Sequence, residues 1–552
     1  MPGLTLITWN TAAKSVRQEP LESLQMFGTR FFRDIFLNEA KVSLFADRYQ
    51  QYPVKRLELD SGFIILEGVM NDRSDEDLRA IGAKVVELIR HGESLRLLGD
   101  WLAKTDGDFV LVVVDSITST VVLANDRLGR LPVYVAKHDD GWIVSREIGT
   151  VLDTVQQVEM DASGCAEMVA FRWPLGNKTI YRNIEALDPA TILQNNWTSY
   201  GSLKSNHYYD FSFDHRISVS NSRLAYDRCT ELFLQAIARR LKNRPEMPAM
   251  VGLSGGMDSR VIAGGLRFSG KQFQSVSFKY RDNARNPDWV AAGRLAQSVQ
   301  SEFRSYDLDG TTSAPGDKLL KLKRGLNFTG VGFIVRFLDE VVADWGYDYD
   351  YWTGDGGNRP LVEPGSMLKF KTVDDLVVYL HKEYNFTAFA AIEKQFGLKQ
   401  GAIEESLRSI LESFPERNIN YKFERFIFSQ RMRRWLFEGE DRNRYYFWQQ
   451  SPLFDRDFVD YSMSLDSGLK RDKRLYRAMI LKMWKPAAEV VYTGLNLPLT
   501  SPLFPIKARL SRSPTVRRIR GYMKGVKQPV PGEYEEVQMQ NLQSLERLKT
   551  VN

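Results

Sequence analysis

The stretch "AMVGLSGGMDSR", Ala249 to Arg260, brings together residue types that can hold an anion. Ala249 to Leu253 is mostly apolar and fits a short buried strand, and "SRVIAGGLRFSG" carries apolar residues at helical spacing. The junction reads as strand, tight loop, helix. Gly255 and Gly256 remove side chains where the backbone must turn and approach a ligand closely. The hydroxyls of Ser254 and Ser259, with the amides of the next helix turn, can donate to phosphate oxygens. Asp258 would repel bare phosphate but suits a Mg²⁺ ion lying between it and the phosphates. The expected ligand is a nucleotide with its metal. The terminal Gly-Lys-Ser/Thr of the common phosphate loop is absent.

Such a loop needs a sheet to carry it, because ligands of open parallel sheets sit at the carboxyl ends of the strands. Around Ser254 the text alternates helix and strand. Helices are expected at "SRLAYDRCTELFLQAIARRLKN", "PDWVAAGRLAQSVQSEF" and "GVGFIVRFLDEVVADW", with strands at "FQSVSFKY" and "YDYDYWTG". Alternation of this kind predicts a parallel sheet covered by helices. From residue 1 to about 205 short strands lie between turns, as in "GFIILEGVM" and "DFVLVVVD", interrupted by the amphipathic "DEDLRAIGAKVVELIRHG". That half reads as a layered α+β domain. The polar "NNWTSYGSLKSNHYYDFSFDH" reads as a linker, and beyond about residue 365 the chain is mostly helical.

Composition sets the outer limits. With 552 residues, two or three domains are expected, and 43% apolar content with 12% aromatics supplies sizeable cores. No run approaches the apolar length of a membrane span. The start "MPGLTLITWNTAAKS" lacks the basic flank and long apolar core of a secretory signal, and two cysteines, Cys165 and Cys229, make no disulfide framework. Cytoplasm is the expected compartment. Five histidines without cysteine pairs argue against zinc. Net charge is +6, part of it in "KARLSRSPTVRRIRGYMKGVK", which reads as a solvated basic face in preference to a nucleic-acid or membrane contact. A homodimer is left open.

The loop Ser254-Gly-Gly-Met-Asp-Ser259 resembles the pyrophosphate loop of the ATP pyrophosphatases. Other segments extend the resemblance to the asparagine synthetase family over nearly the whole length. "GDFVLVVVD", "LANDRLGRLPVYV" and "WIVSREIGTVL" are similar to its glutamine-amidotransferase domain. "WTGDGGNRP", residues 352–360, falls at its second glycine-rich loop, and "SPLFDRDFVDYSMSLDSGLKRDKRLYRAMI" resembles its Pro-Phe-Leu-Asp segment and Lys-x-x-x-Arg helix. The resemblance implies an amidotransferase-like domain over 1–205, an ATP pyrophosphatase domain over 206–505 and a basic extension over 506–552. It implies that Leu253 and Val276 line an adenine pocket, that Thr353 and Gly354 help hold ATP, and that Asp258 binds Mg²⁺. Lys473 matches the catalytic lysine, with Arg477 one turn later. A fixed ammonium there would stabilise charge as a carboxylate attacks the α-phosphate and as an amine attacks the acyl-adenylate.

The chain also departs from the family. Its glutaminase uses a cysteine after the initiator methionine, with the free α-amine as base. Pro2 stands there, and the glutamine-holding Asn-Gly-Glu reads "LEGVMND" around Gly68. The domain is therefore expected to be glutaminase-inactive, as in β-lactam synthetases and lasso-peptide cyclases. In the second loop Asn358 replaces the aspartate that shares the metal, Arg359 replaces the next glutamate, and Asp355 keeps an acid at the family's Glu position. Four aromatics, Tyr445 to Trp448, read as core, with the wall of a larger acyl pocket as the other reading. The resulting expectation is an AMP-forming ligase joining a carboxylate to ammonia or an amine. Asparagine formation from aspartate and a non-catalytic nucleotide-binding relative are the alternatives.

Overall fold

The computed structural model describes residues 2–10, 19–138, 140–155, 157–199, 202–214, 217, 219, 221–280, 288–308, 314–357, 360–361, 369–384 and 388–511. Two antiparallel sheets form the N-terminal half. One has the order β10-β8-β9-β1-β3-β2, built from β1 (Gly3–Trp9), β2 (Phe32–Glu39), β3 (Val42–Arg48), β8 (Tyr134–His138), β9 (Gly141–Ser145) and β10 (Ile184–Ala186). The other has the order β12-β11-β7-β6-β5-β4, with β4 (Val54–Leu59), β5 (Gly62–Met70), β6 (Gly107–Asp115), β7 (Thr120–Asn125), β11 (Thr191–Asn196) and β12 (Lys204–His207).

Strand alternation sorts the apolar side chains between layers. Leu4 and Leu6 of β1 share a core with Val110, Val112 and Val114 of β6, between the two sheets. Ile7 and Trp9 face the opposite way and pack with helix α2 (Ala162–Phe171), while Phe109, Leu111 and Val113 pack with helix α1 (Asp75–Arg90). The result is the expected layered arrangement of helix, two sheets and helix. Ser74 starts α1 with a reciprocal capping box through Asp77.

After helix α3 (Ser222–Asn243) the chain builds a five-stranded parallel sheet, order β15-β14-β13-β16-β17. Its strands are β13 (Ala249–Gly252), β14 (Phe273–Lys279), β15 (Glu302–Asp307), β16 (Asp350–Trp352) and β17 (Trp448–Gln450), all paired in parallel. Helices α4 (Asp258–Phe268), α5 (Asp288–Ser298) and α6 (Phe333–Trp345) connect them, and the C-terminal part is mostly helical.

Two local expectations are corrected. The helix expected through Phe303 ends at Ser298, and β15 follows at once, its buried Tyr306 in line with the sheet. Part of the expected linker is instead the exposed edge strand β12, paired with β11. No helix among the described residues is long and apolar enough to cross a membrane. Residues 512–552, most of the basic stretch, lie outside the described residues.

Candidate active site

In the parallel sheet the chain moves outward from β13 to β14 and β15, then returns to the other side of β13 with β16 and β17. The loops after β13 and β16 therefore flank the point where strand order reverses, the usual position of a ligand in such a sheet. Both predicted glycine-rich loops are those two loops.

The first loop is organised by its serines. The Ser254 amide donates to Ser259 Oγ at 3.0 Å, the two hydroxyls stand 3.1 Å apart, and the Gly256 amide donates to Ser254 Oγ at 3.2 Å. Gly255 is needed because a Cβ would lie 2.6 Å from Asp288 Oδ1 and closer still to Thr493. Gly354 of the second loop is needed for a different reason: its Cβ would lie 2.8 Å from the Ser259 amide nitrogen and closer to the Asp258 carbonyl. The two loops thus touch backbone to backbone at the start of α4. Thr353 is buried, and its hydroxyl accepts from the Asp355 amide at 3.0 Å.

Two residues that the sequence reading left out hold this corner. Arg260, fully buried, donates to the carbonyls of Ala487 at 2.9 Å, Val490 at 2.6 Å and Val491 at 3.1 Å, and its Nε donates to the Gly256 carbonyl at 3.3 Å. Burial lowers its pKa to about 10. Tyr476, buried, donates its hydroxyl to Asp258 Oδ1. Burial first, then the Asp258 charge, raise the pKa of that phenol well above its ordinary value, so it acts as a donor. Apart from the Gly256 carbonyl, the partners named lie more than two hundred residues away, which local spacing cannot reveal.

Lys473 is half-buried and precedes helix α7 (Arg474–Met483), which carries Tyr476 and packs on α4. Asp472 and Lys473 both adopt left-handed backbone, φ 59° and 61°, unusual for two successive non-glycine residues and of the kind that clusters at functional sites. Lys473 Nζ stands 5.5 Å from the Tyr492 ring centre. Arg477 Nε donates to the Leu499 carbonyl at 2.6 Å, which gives it a bracing role. Leu253 and Val276, both buried, are adjacent at the strand ends, where the Leu253 amide donates to the Val276 carbonyl at 2.8 Å.

Asp355 opens onto the cleft while protein surrounds its flanks, and this desolvation raises its pKa against the Thr353 hydrogen bond and the Arg442 charge. Asn358 and Arg359 lie outside the described residues. Among the described residues no group of three or more metal-ligating side chains exists. A Mg²⁺ ion that keeps phosphate oxygens and water as its main ligands fits the single half-buried carboxylate of Asp258. The aromatics Tyr445 to Trp448 are fully buried and pack against Phe27, Tyr52 and Tyr351, in keeping with a core position.

The start of β1 is also informative. The Leu4 amide donates to Glu67 Oε2 at 2.8 Å, the Tyr52 hydroxyl donates to Glu67 Oε1 at 2.5 Å, and Arg146 Nε meets the same oxygen at 3.0 Å. Arg146 continues to Asp441 at 2.7 Å, Asp441 to Lys323 at 3.0 Å, and Lys323 to Glu438 at 2.9 Å. Every member is almost fully buried. The Glu67 carboxylate is thus fully committed to partners inside the protein.

Residues 94–209 match the glutamine amidotransferase domain family, and residues 228–314 match the asparagine synthase family. In this order the two matches support a member of the asparagine synthetase family, a class of ATP-using, amide-forming enzymes. No curated protein matches the chain. Solved structures similar to it include the NMN synthetase from Francisella tularensis, at 15% identity and TM-score 0.21, covering 39% of this chain and 95% of that one. The NH3-dependent NAD synthetase from Campylobacter jejuni shows 14% identity and TM-score 0.20, covering 36% and 99%. The glutamine phosphoribosylpyrophosphate amidotransferase from B. subtilis shows 11% identity and TM-score 0.25, covering 76% and 94%.

Proposed function

We propose that the chain is an ATP-dependent, AMP-forming carbon–nitrogen ligase without a glutaminase of its own, its synthetase site carried by residues 206–505. The observation that carries this reading is the convergence of two glycine-rich loops at the sheet's reversal point, with Gly354 against Asp258 and Ser259 and with Tyr476 holding the Asp258 carboxylate. A carboxylate oxygen attacks the α-phosphorus of ATP, the bond to the β-phosphate breaks and pyrophosphate leaves. An amine nitrogen then attacks the acyl carbon, AMP leaves and the nitrogen loses a proton. The Ser254–Ser259 loop cradles the leaving pyrophosphate, and Lys473 offsets the negative charge that builds in both steps. Mg²⁺, held through Asp258, neutralises phosphate charge when bound.

The buried network from Glu67 to Glu438 supports the missing glutaminase. A carboxylate committed to Arg146 is not available to hold glutamine, and Pro2 offers no nucleophile. The nitrogen donor is then free ammonia or an amine on the substrate. The test is product analysis with a carboxylate panel and ammonium: AMP and pyrophosphate in equal amounts are expected, with no glutamate released from glutamine. ADP and phosphate as products, or glutamate release, would overturn the reading.

A further inference from the structure

Beside Asp355 lies a cavity of about 180 Å³. Helix Glu438–Asn443 divides it from the buried network just described. Glu438 and Asp441, three residues apart, turn to the network, whereas Gly439, Glu440 and Arg442 line the cavity. The rest of its wall is mostly apolar, with Phe328, Val331, Ile334 and Trp435 prominent.

Its charges are unevenly partnered. Glu440 is paired with Arg130 at 2.5 Å, and burial raises its pKa to about 7. Arg442 is 5% exposed, yet its Nε and Nη2 donate only to the neighbouring Asn443 Oδ1, each at 3.2 Å, and no carboxylate among the described residues lies within ion-pair distance. Burial lowers its pKa to about 10. Arg434, equally buried, donates Nη2 to the Lys178 carbonyl and leaves Nε unpartnered, and Asn327 Oδ1 in the same wall is unpartnered too. The Asp355 charge reaches Arg442 but makes no ion pair with it, so a buried guanidinium is left without an anion in direct contact, a costly arrangement that an anion arriving with a ligand would relieve.

Resting on the ligase reading above, we propose that this cavity is the acyl-donor subsite and that it takes a carboxylate with an apolar body, its anionic end at Arg442 and its body against Phe328, Val331, Ile334 and Trp435. Asp355 belongs both to this cavity and to the second glycine-rich loop, which puts the subsite next to the nucleotide loops. Arg172, at the end of α2, also lines it, so the N-terminal half contributes to the synthetase's substrate site.

The test is ligand-observed NMR binding of phenylpropionate, hexanoate and aspartate to the full chain, beside pyrophosphate exchange with the same acids. Phenylpropionate and hexanoate are expected to bind more tightly than aspartate by at least about tenfold. Val331→Trp, which fills the cavity, should weaken them by at least about tenfold while leaving ATP binding unchanged. Arg442→Gln should lose carboxylate binding yet raise Tm, because it removes the unpaired buried charge. Preference for aspartate, absence of binding, or unchanged binding in a folded Val331→Trp variant would overturn the proposal. Binding that obeys these variants without any exchange would overturn the ligase reading and leave the carboxylate subsite standing. Exchange with aspartate that ignores Val331→Trp would do the reverse.

Discussion

At the residue scale the account turns on Asp258 and the phenol that holds it. Tyr476→Phe deletes a single hydroxyl from a buried site, and loss of that hydrogen bond costs about 1.5–3 kcal/mol where the acceptor is charged. The prediction is a fall of at least about tenfold in kcat/KM at limiting ATP, with Tm lowered by only a few degrees. An unchanged kcat/KM would show that Asp258 needs no orientation. A second prediction concerns protons. Asp126 is buried beside Asp108, and desolvation followed by that charge raises its pKa to about 7. A carboxyl whose folded pKa is raised stabilises the fold below its unfolded pKa, and that contribution is lost as pH rises toward 7. Asp126→Asn keeps an acceptor for the Leu128 and Arg130 amides and cannot ionise. Its stability relative to the parent should therefore improve between pH 4 and 7, by up to a few kcal/mol, as urea unfolding would measure. Much of this scale is legible in the sequence where residue type and local spacing decide the outcome, as in the Ser-Gly-Gly-Met-Asp-Ser loop. Arg260, Tyr476 and Glu67 are not, because each acts on a partner distant in the chain.

At the element scale, the contact between the two loops is the part most sensitive to volume. A methyl group on Gly354 has only backbone to meet, at Asp258 and Ser259, so neither side can yield by changing rotamer. Gly354→Ala should cost about 1–3 kcal/mol and weaken ATP binding. Wild-type ATP affinity in that variant, by calorimetry, would show that the loops need not touch. The sheet that sets this contact is readable from alternating helix and strand patterns, and α3 falls where the periodicity puts it, Ser222–Asn243. Strand β15 escapes because "EFRSYD" is half exposed at the sheet edge and its lone buried Tyr306 gives no alternation to see. The cavity escapes as well, since its wall draws on Arg172, the 326–334 segment, Asp355 and the 434–442 segment.

Across the whole molecule, the network from Glu67 through Arg146, Asp441 and Lys323 to Glu438 joins the two halves. Removing one member leaves buried charge uncompensated, so Arg146→Met should destabilise the protein by about 3–5 kcal/mol without producing glutaminase activity. A neutral effect on unfolding would contradict the bracing role. Pro2 and the residues around Gly68 are legible in the sequence, but the network is assembled from both halves, and local spacing does not reveal it.

The central claim is adenylation at the paired loops, and its most direct measurement is carboxylate-dependent exchange of labelled pyrophosphate into ATP, with Mg²⁺ and without any amine. Omitting the amine isolates the first step, and including Asp258→Ala assigns it to the loop. The account predicts exchange with an apolar-bodied carboxylate and a loss of at least about a hundredfold in the variant. Bound ATP with no exchange for any carboxylate, or exchange that survives Asp258→Ala, would contradict it.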